Sequence, residues 1–282
     1  MSGKVYLVGA GPGDPEMLTV KAVRILREAD VVLHDDLVPA AIVKLVAPGA
    51  LVSNVGKRCG KKRVTQEKIH ALMVDYARRG LTVVRLKGGD PLIFGRAGEE
   101  IDALAAAGIE YEIVPGVTAA SCAAASAGIS LTDRRAASSL VFLSGHPGAD
   151  KLRNDWPRLE SKNTGTQAAT VVVYMPGTDY AKLRAELYEA GLNHNLPCLL
   201  VSGASTGASQ TYPTSLDKLS DAPPLASPKI LIVGEVVRRR SSSKRATAAP
   251  SREMETARAK QARGVHRRSG KENRRPVLVR QA

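Results

Sequence analysis

The sequence predicts an α/β fold, on three observations. Short aliphatic and β-branched runs alternate with amphipathic helical runs over the first 237 residues. Glycine-rich or charged turns follow those β-rich runs, which is where parallel sheets take their ligands. Hydrophobic residues make up 44% and charged residues 24%. That composition can fill a core, and it excludes a collagen, a coiled coil and a chain disordered throughout. The longest apolar runs, such as 171–173 and 198–201, are far too short to span a bilayer. A β-run within five residues of Met1 leaves no signal-peptide pattern. Cys59, Cys122 and Cys198 are widely spaced, so neither a zinc site nor a disulfide framework is suggested. The expected setting is reduced and cytoplasmic.

Taken in order, 5–8 is a strand. Asp14, Pro15 and Glu16 supply a helix N-cap, a proline at the first helical position and an early acid. Ala22, Val23, Ile25, Leu26 and Ala29 give that helix its buried stripe. Strands follow at 31–33 and 51–55. A helix over 65–79 puts Ile69, Leu72, Met73 and Tyr76 on one face and stops at Gly80. A strand at 82–86, a helix at 98–107 ended by Gly108 and a strand at 111–114 complete a first domain, 1–114. Pro115-Gly116 makes a seam. Beyond it, 118–127 is a helix of small residues, suited to close core packing or to a ligand lying against it. Strands at 139–143, 170–174, 198–201 and 230–233, with a helix at 180–190, build a second domain, 115–237. A largely parallel core is expected, with a cleft between the domains. The polar stretch 147–168 is a surface excursion.

The formal net charge of +14 invites a nucleic-acid reading, but its position argues otherwise. Residues 238–282 carry +12 of it and the other 237 residues only +2. The terminal segment is polar, repetitive and free of aromatic residues. It cannot bury enough apolar area to offset its ordering entropy. A disordered basic tail is therefore expected, with at most a marginal helix at 251–262. Two roles stay open for it, a solvated appendage and a salt-sensitive anion or nucleic-acid attachment. Sequence-specific RNA reading lacks a stacking platform.

Five consecutive loops after the strands carry the unusual residues: 9–14 (GAGPGD), 34–36 (HDD), 56–63 (GKRCGKKR), 87–91 (KGGDP) and 115–120 (PGVTAA). GAGPGD is not a dinucleotide loop. Asp14 stands where the third glycine belongs and would repel a pyrophosphate, and Pro12 lacks an amide proton. It reads either as a plain tight turn or as a turn that lets a ligand approach the backbone closely. Gly88-Gly89-Asp90 combines backbone access with a carboxylate, which suits a polar, cationic or zwitterionic small molecule; Asp90 also suits a cap. Lys57, Arg58, Lys61, Lys62 and Arg63 form either a solvated basic loop or a landing site for a polyanion. His34, Asp35 and Asp36 are adjacent and point to opposite faces of an extended segment, so no metal is expected. No nucleophile elbow or Cys/His pair supports covalent catalysis.

The segments VYLVGAGPGDPEMLTVKA, VGKRCG, RLKGGDPLIFGRAGEE, VPGVTAA and VVVYMPG run in order through residues 5–237. Together they resemble the uroporphyrinogen-III C-methyltransferases of the tetrapyrrole methylase superfamily. The resemblance implies two α/β domains with S-adenosyl-L-methionine in the cleft between them, and a homodimer. It implies two methyl transfers to uroporphyrinogen III, at positions 2 and 7, giving precorrin-2 for sirohaem and cobalamin synthesis. It implies cofactor contacts from Pro12, Gly88, Gly89, Asp90, Ile93, Thr118, Ala119, Met175 and Ala204. Asp35 matches a proton acceptor and Lys57 a proton donor. The substrate's eight carboxylates would give Arg58, Lys61, Lys62 and Arg63 a purpose, with Arg96, Arg134 and Arg135 extending the same surface. The chain departs from the family's usual residues at His34 and Asp36, at Leu92-Ile93 and at Ser202-Gly203. Other readings are a methylase of a later corrin intermediate or of RNA, and a non-catalytic anion-binding protein on the same fold.

Overall fold

The structure is a computed structural model that describes residues 3–56, 64–146, 154, 156–159 and 169–239. Of the expected basic tail 238–282, all but Arg238 and Arg239, which end the 3₁₀ helix Glu235–Arg239, lies outside the described residues, as does nearly all of the expected surface excursion at 147–168. Two five-stranded sheets organise the rest. The first contains β1 (Lys4–Gly9), β2 (Val31–His34), β3 (Leu51–Asn54), β4 (Val83–Lys87) and β5 (Glu110–Val114), in the order β3-β2-β4-β1-β5. Every pairing in it is parallel. Helices α1 (Val20–Glu28), α2 (Ala40–Val43), α3 (Gln66–Arg78) and α4 (Ala97–Ala106) belong to this half. They bury its central strands from both faces. Val5, Leu7, Val83 and Leu104 fill one core, and Val8, Val84, Ile25 and Leu26 fill the other. A two-sided burial explains why β2 opens on three consecutive apolar residues, Val31, Val32 and Leu33.

The second sheet contains β6 (Ser139–Ser144), β7 (Ala169–Tyr174), β8 (Pro197–Ser202), β9 (Gln210–Ser215) and β10 (Lys229–Val233), ordered β6-β7-β10-β8-β9. Helix α5 (Ala119–Ala127) packs on one face and α6 (Tyr180–Glu189) on the other. Here the largely parallel expectation needs correcting. Only β6 and β7 pair parallel; β7-β10, β10-β8 and β8-β9 are antiparallel. The connections explain it. β8 returns as β9 through a short turn, which suits an antiparallel pair, and β10, arriving after the 3₁₀ helix Leu216–Asp221, inserts between β7 and β8 and runs antiparallel to both. β9 itself (QTYPTS) escapes a hydrophobic-pattern reading because it is polar and half exposed. As an edge strand it tolerates Pro213, which can donate nothing to a ladder.

The first helix also starts later than the Asp14-Pro15-Glu16 signal suggests. Asp14 does cap, accepting from Glu16 N at 2.9 Å, but what it caps is the 3₁₀ turn Pro15–Met17. Leu18 is extended, and Thr19 caps α1 by accepting from Ala22 N at 3.1 Å. The expected stripe survives, with Ala22, Ile25 and Leu26 buried. No helix among the described residues is long and apolar enough to cross a membrane.

Candidate active site

Because the five strands of the first sheet run the same way, their carboxyl ends meet along one edge. The loops after β1, β4 and β5 lock together there through their backbones. Gly11 N donates to Gly89 O at 3.1 Å, and Gly89 N donates to Gly11 O at 2.7 Å. Asp90 Oδ2 accepts from Gly116 N at 3.0 Å, and Oδ1 accepts from Leu92 N at 2.8 Å. Such proximity requires glycine. A Cβ on Gly9 would lie 2.6 Å from Gly116 N and 2.7 Å from Gly89 O, well inside ordinary contact distance.

These loops also touch the second sheet's side of the molecule. Ser205 Oγ donates to Pro12 O at 2.5 Å, joining residues 193 positions apart in sequence. Pro12, Ala119 and Ala204 line one cavity of about 60 Å³. That is a fraction of an ordinary small-molecule site, and Gly88, Gly89, Asp90, Ile93, Thr118 and Met175 lie outside its lining. They are nevertheless connected to it. A Cβ on Gly89 would meet only Ala119 N, at 3.9 Å. Thr118 Oγ1 is 2.5 Å from the Tyr174 hydroxyl, and Met175 follows in a left-handed conformation, half exposed. The Tyr174 ring packs against Phe94 with centroids 5.0 Å apart, and Ile93 joins the apolar cluster of α5 and Ala204. Burial raises the Tyr174 phenol above its ordinary range.

Asp35 stands directly after β2, partly exposed, and its carboxylate is gripped by the Arg85 guanidinium. Arg85 is one member of a buried ionic cluster. Its Nε donates to Glu100 Oε1 at 2.9 Å, and Lys87 Nζ donates to both Glu100 oxygens at 2.9 Å. Gln66 Nε2 adds a third donor and a fourth hydrogen bond, at 3.2 Å. Glu100 is fully buried, and Arg85 and Lys87 nearly so. Burial pulls the Arg85 guanidinium down, but Asp35 and Glu100 outweigh it and hold the group above its usual range. Burial, aided by the Arg85 charge, leaves the Lys87 ammonium below its usual range. The motif reading missed Arg85 and Glu100 and gave Lys87 no role beyond its place in the loop 87–91. A signal was there: two cations at i and i+2 in the apolar run VVRLK fall on one face of a central strand, where only partnered charges are tolerated.

Lys57, Arg58, Lys61, Lys62 and Arg63 lie outside the described residues. Arg96 and Arg135 are described and already engaged. Arg96 Nε and Nη2 donate to the Glu99 carboxylate at 2.7 and 2.6 Å, and Arg135 Nε and Nη2 to Asp133 at 3.0 and 2.8 Å. Asn54 Nδ2 donates to Asp36 at 3.1 Å, and His34 Nδ1 donates to Asp35 O at 2.9 Å.

Residues 4–220 match the model of the tetrapyrrole (corrin/porphyrin) methylases. The chain is 44% identical over 238 residues to an S-adenosyl-L-methionine-dependent uroporphyrinogen III methyltransferase, chloroplastic, of Arabidopsis thaliana, covering 83% of this chain and 64% of that protein. It is also 44% identical over 238 residues to the uroporphyrinogen-III C-methyltransferase of Paracoccus denitrificans, covering 83% and 81% respectively. The chain spans about half the length of the siroheme synthases that it matches. Among solved structures, the uroporphyrin-III C-methyltransferase of Thermus thermophilus complexed with S-adenyl homocysteine superposes with a TM-score of 0.69 at 38% identity. That match covers 84% of this chain and 94% of the other. The parallel sheet with its glycine-locked edge, the mixed sheet beside it and these matches place the chain in one family: it belongs to the tetrapyrrole methylases.

Proposed function

We propose that this chain is an S-adenosyl-L-methionine-dependent C-methyltransferase that converts uroporphyrinogen III to precorrin-2 by two methyl transfers. One observation carries the reading. Pro12, Ala119 and Ala204, from three distant parts of the chain, line a single cavity beside the glycine-locked edge. The residues fit the cofactor. Gly89 has no side chain against it, Ala119 and Ala204 form an apolar wall, and Asp90 supplies a carboxylate near the rim. When bound, S-adenosyl-L-methionine supplies an electrophilic methyl group on its sulfonium sulfur, so no enzyme nucleophile and no metal is required.

Pro12, Gly88, Gly89, Asp90, Ile93, Thr118, Ala119, Met175 and Ala204 would hold the cofactor and align it with a pyrrole carbon, which is catalysis by proximity and orientation. Asp35 would accept the proton that the macrocycle loses from another position when a pyrrole carbon is methylated, and Arg85 holds its carboxylate in place. Lys57 would donate a proton to the macrocycle in an accompanying tautomer shift, which releases one proton from another position of the ring. Arg58, Lys61, Lys62 and Arg63 would attract the substrate's carboxylates. The family's pattern further supports a homodimer, which sedimentation would test. The described thiols, Cys122 and Cys198, are unpaired, in keeping with a reduced cytoplasmic setting.

The test is anaerobic incubation of the full chain with uroporphyrinogen III and methyl-labelled S-adenosyl-L-methionine. A doubly labelled product is expected. Cofactor binding without label transfer to uroporphyrinogen III would overturn the substrate assignment.

A further inference from the structure

The buried ionic cluster does more than the proposed reaction uses. Asp35 is the only member that reaches the surface appreciably; Arg85, Glu100 and Lys87 sit behind it in the core. Burying two cations and a carboxylate in a fold is costly unless each is paired; a wholly hydrophobic set of similar volume is often as stable or more so, whereas removing one member leaves an uncompensated buried charge. Their order in space is directional. Lys87 and Gln66 saturate Glu100, Glu100 orients Arg85 through Nε, and the far end of the same guanidinium holds Asp35. Arg85 Nη1 is braced as well, donating to Leu33 O at 3.3 Å and Leu86 O at 3.4 Å. A guanidinium is a rigid planar fork, so fixing one edge fixes the other.

We propose that Glu100 is a positioning residue for the candidate base Asp35, acting through Arg85, and that Lys87 is the counter-charge that allows Glu100 to be buried. The inference rests on the methyltransferase reading above, and it adds residues that never touch substrate. A carboxylate displaced by about 1 Å costs on the order of 10²-fold in rate. Glu100→Gln keeps the shape but leaves Lys87 and Arg85 facing a neutral amide, so it should release Arg85 from its register.

The experiment measures turnover with labelled cofactor and uroporphyrinogen III, alongside calorimetric cofactor binding, for wild type, Glu100→Gln, Asp35→Asn and the double variant. Glu100→Gln should lower kcat by about 10- to 100-fold with cofactor affinity and the substrate KM unchanged within about twofold. In the Asp35→Asn background the same change should lower kcat no further, because the residue through which it acts is gone. A second variant guards against misfolding. Lys87→Met with Glu100→Gln removes one charge of each sign, so it should recover the wild-type urea midpoint while kcat stays low, because Arg85 still faces a neutral amide. Wild-type turnover in Glu100→Gln would overturn the proposal. So would a further loss in the Asp35→Asn background, or turnover that returns to wild type in the Lys87→Met pair. An inactive wild type would instead sink the methyltransferase reading, and this inference with it.

Discussion

Replacing Gly116 by alanine puts one methyl group at the point where the loops after β1, β4 and β5 converge. The new Cβ would overlap Gly89 O and lie 2.9 Å from Gly9 Cα and 3.1 Å from Gly9 C. Carbon pairs rest near 3.5–4.0 Å, so the overlap is roughly 0.5–1 Å against backbone atoms, which have no rotamer to escape into. Overpacking of this kind costs about 1–3 kcal/mol. The same displacement loosens the Gly116 N to Asp90 carboxylate bond of 3.0 Å, and a hydrogen bond to a charged group contributes about 1.5–3 kcal/mol. The expected loss is therefore about 2–5 kcal/mol, a large share of a domain's net stability of about 5–15 kcal/mol. Urea denaturation monitored by circular dichroism measures it, and calorimetry should show cofactor affinity reduced at least about tenfold. Gly98→Ala is the control. It lies in α4 with nothing within 4 Å of its Cβ, and it should gain about 0.5–1 kcal/mol from helix propensity. An unchanged urea midpoint and unchanged cofactor affinity in Gly116→Ala would refute the idea that close backbone contact builds this edge.

Three further outcomes are expected. Asp35→Asn should slow turnover by about 10²- to 10⁴-fold, the usual contribution of a general base, while calorimetric cofactor binding is retained; wild-type turnover would remove Asp35 from the mechanism. Reversing the charges of Lys61, Lys62 and Arg63 to glutamate should raise the KM for uroporphyrinogen III and leave cofactor affinity alone, and equal substrate kinetics would end the landing-site role. Burial pushes the Cys198 thiol well above its ordinary range, so the unfolded chain loses that proton first. Its contribution to stability is complete below the ordinary thiol range and declines as pH rises above it. Urea midpoints between pH 7 and pH 10 should therefore fall more steeply for wild type than for Cys198→Ala, and parallel slopes would contradict the assignment.

Much of the fold was legible because its signals are local. The i, i+3, i+4 stripe of α1 depends only on helical geometry, and Ala22, Ile25 and Leu26 are buried as that stripe requires. The glycine loops stood out because only glycine permits the approach seen between Gly9, Gly89 and Gly116. The misses share a cause. Asp14 and Thr19 are both good caps just ahead of the same hydrophobic stripe, and which of them starts α1 was decided by the extended backbone at Leu18. β9 carries no buried face of its own, and its partner β8 makes it a strand.

The amino-acid order by itself determined the alternation of strands and helices, the glycine-lined turns and the family pattern, because each is written in neighbouring residues. Only the tertiary structure decided that the second sheet is mixed, that Pro12 meets Ser205 across 193 positions, and that Asp35 is held by Arg85 from 50 residues away. Those pairings follow from which faces pack together, and no local period or turn rule encodes a distance between side chains that the folded core alone brings into reach.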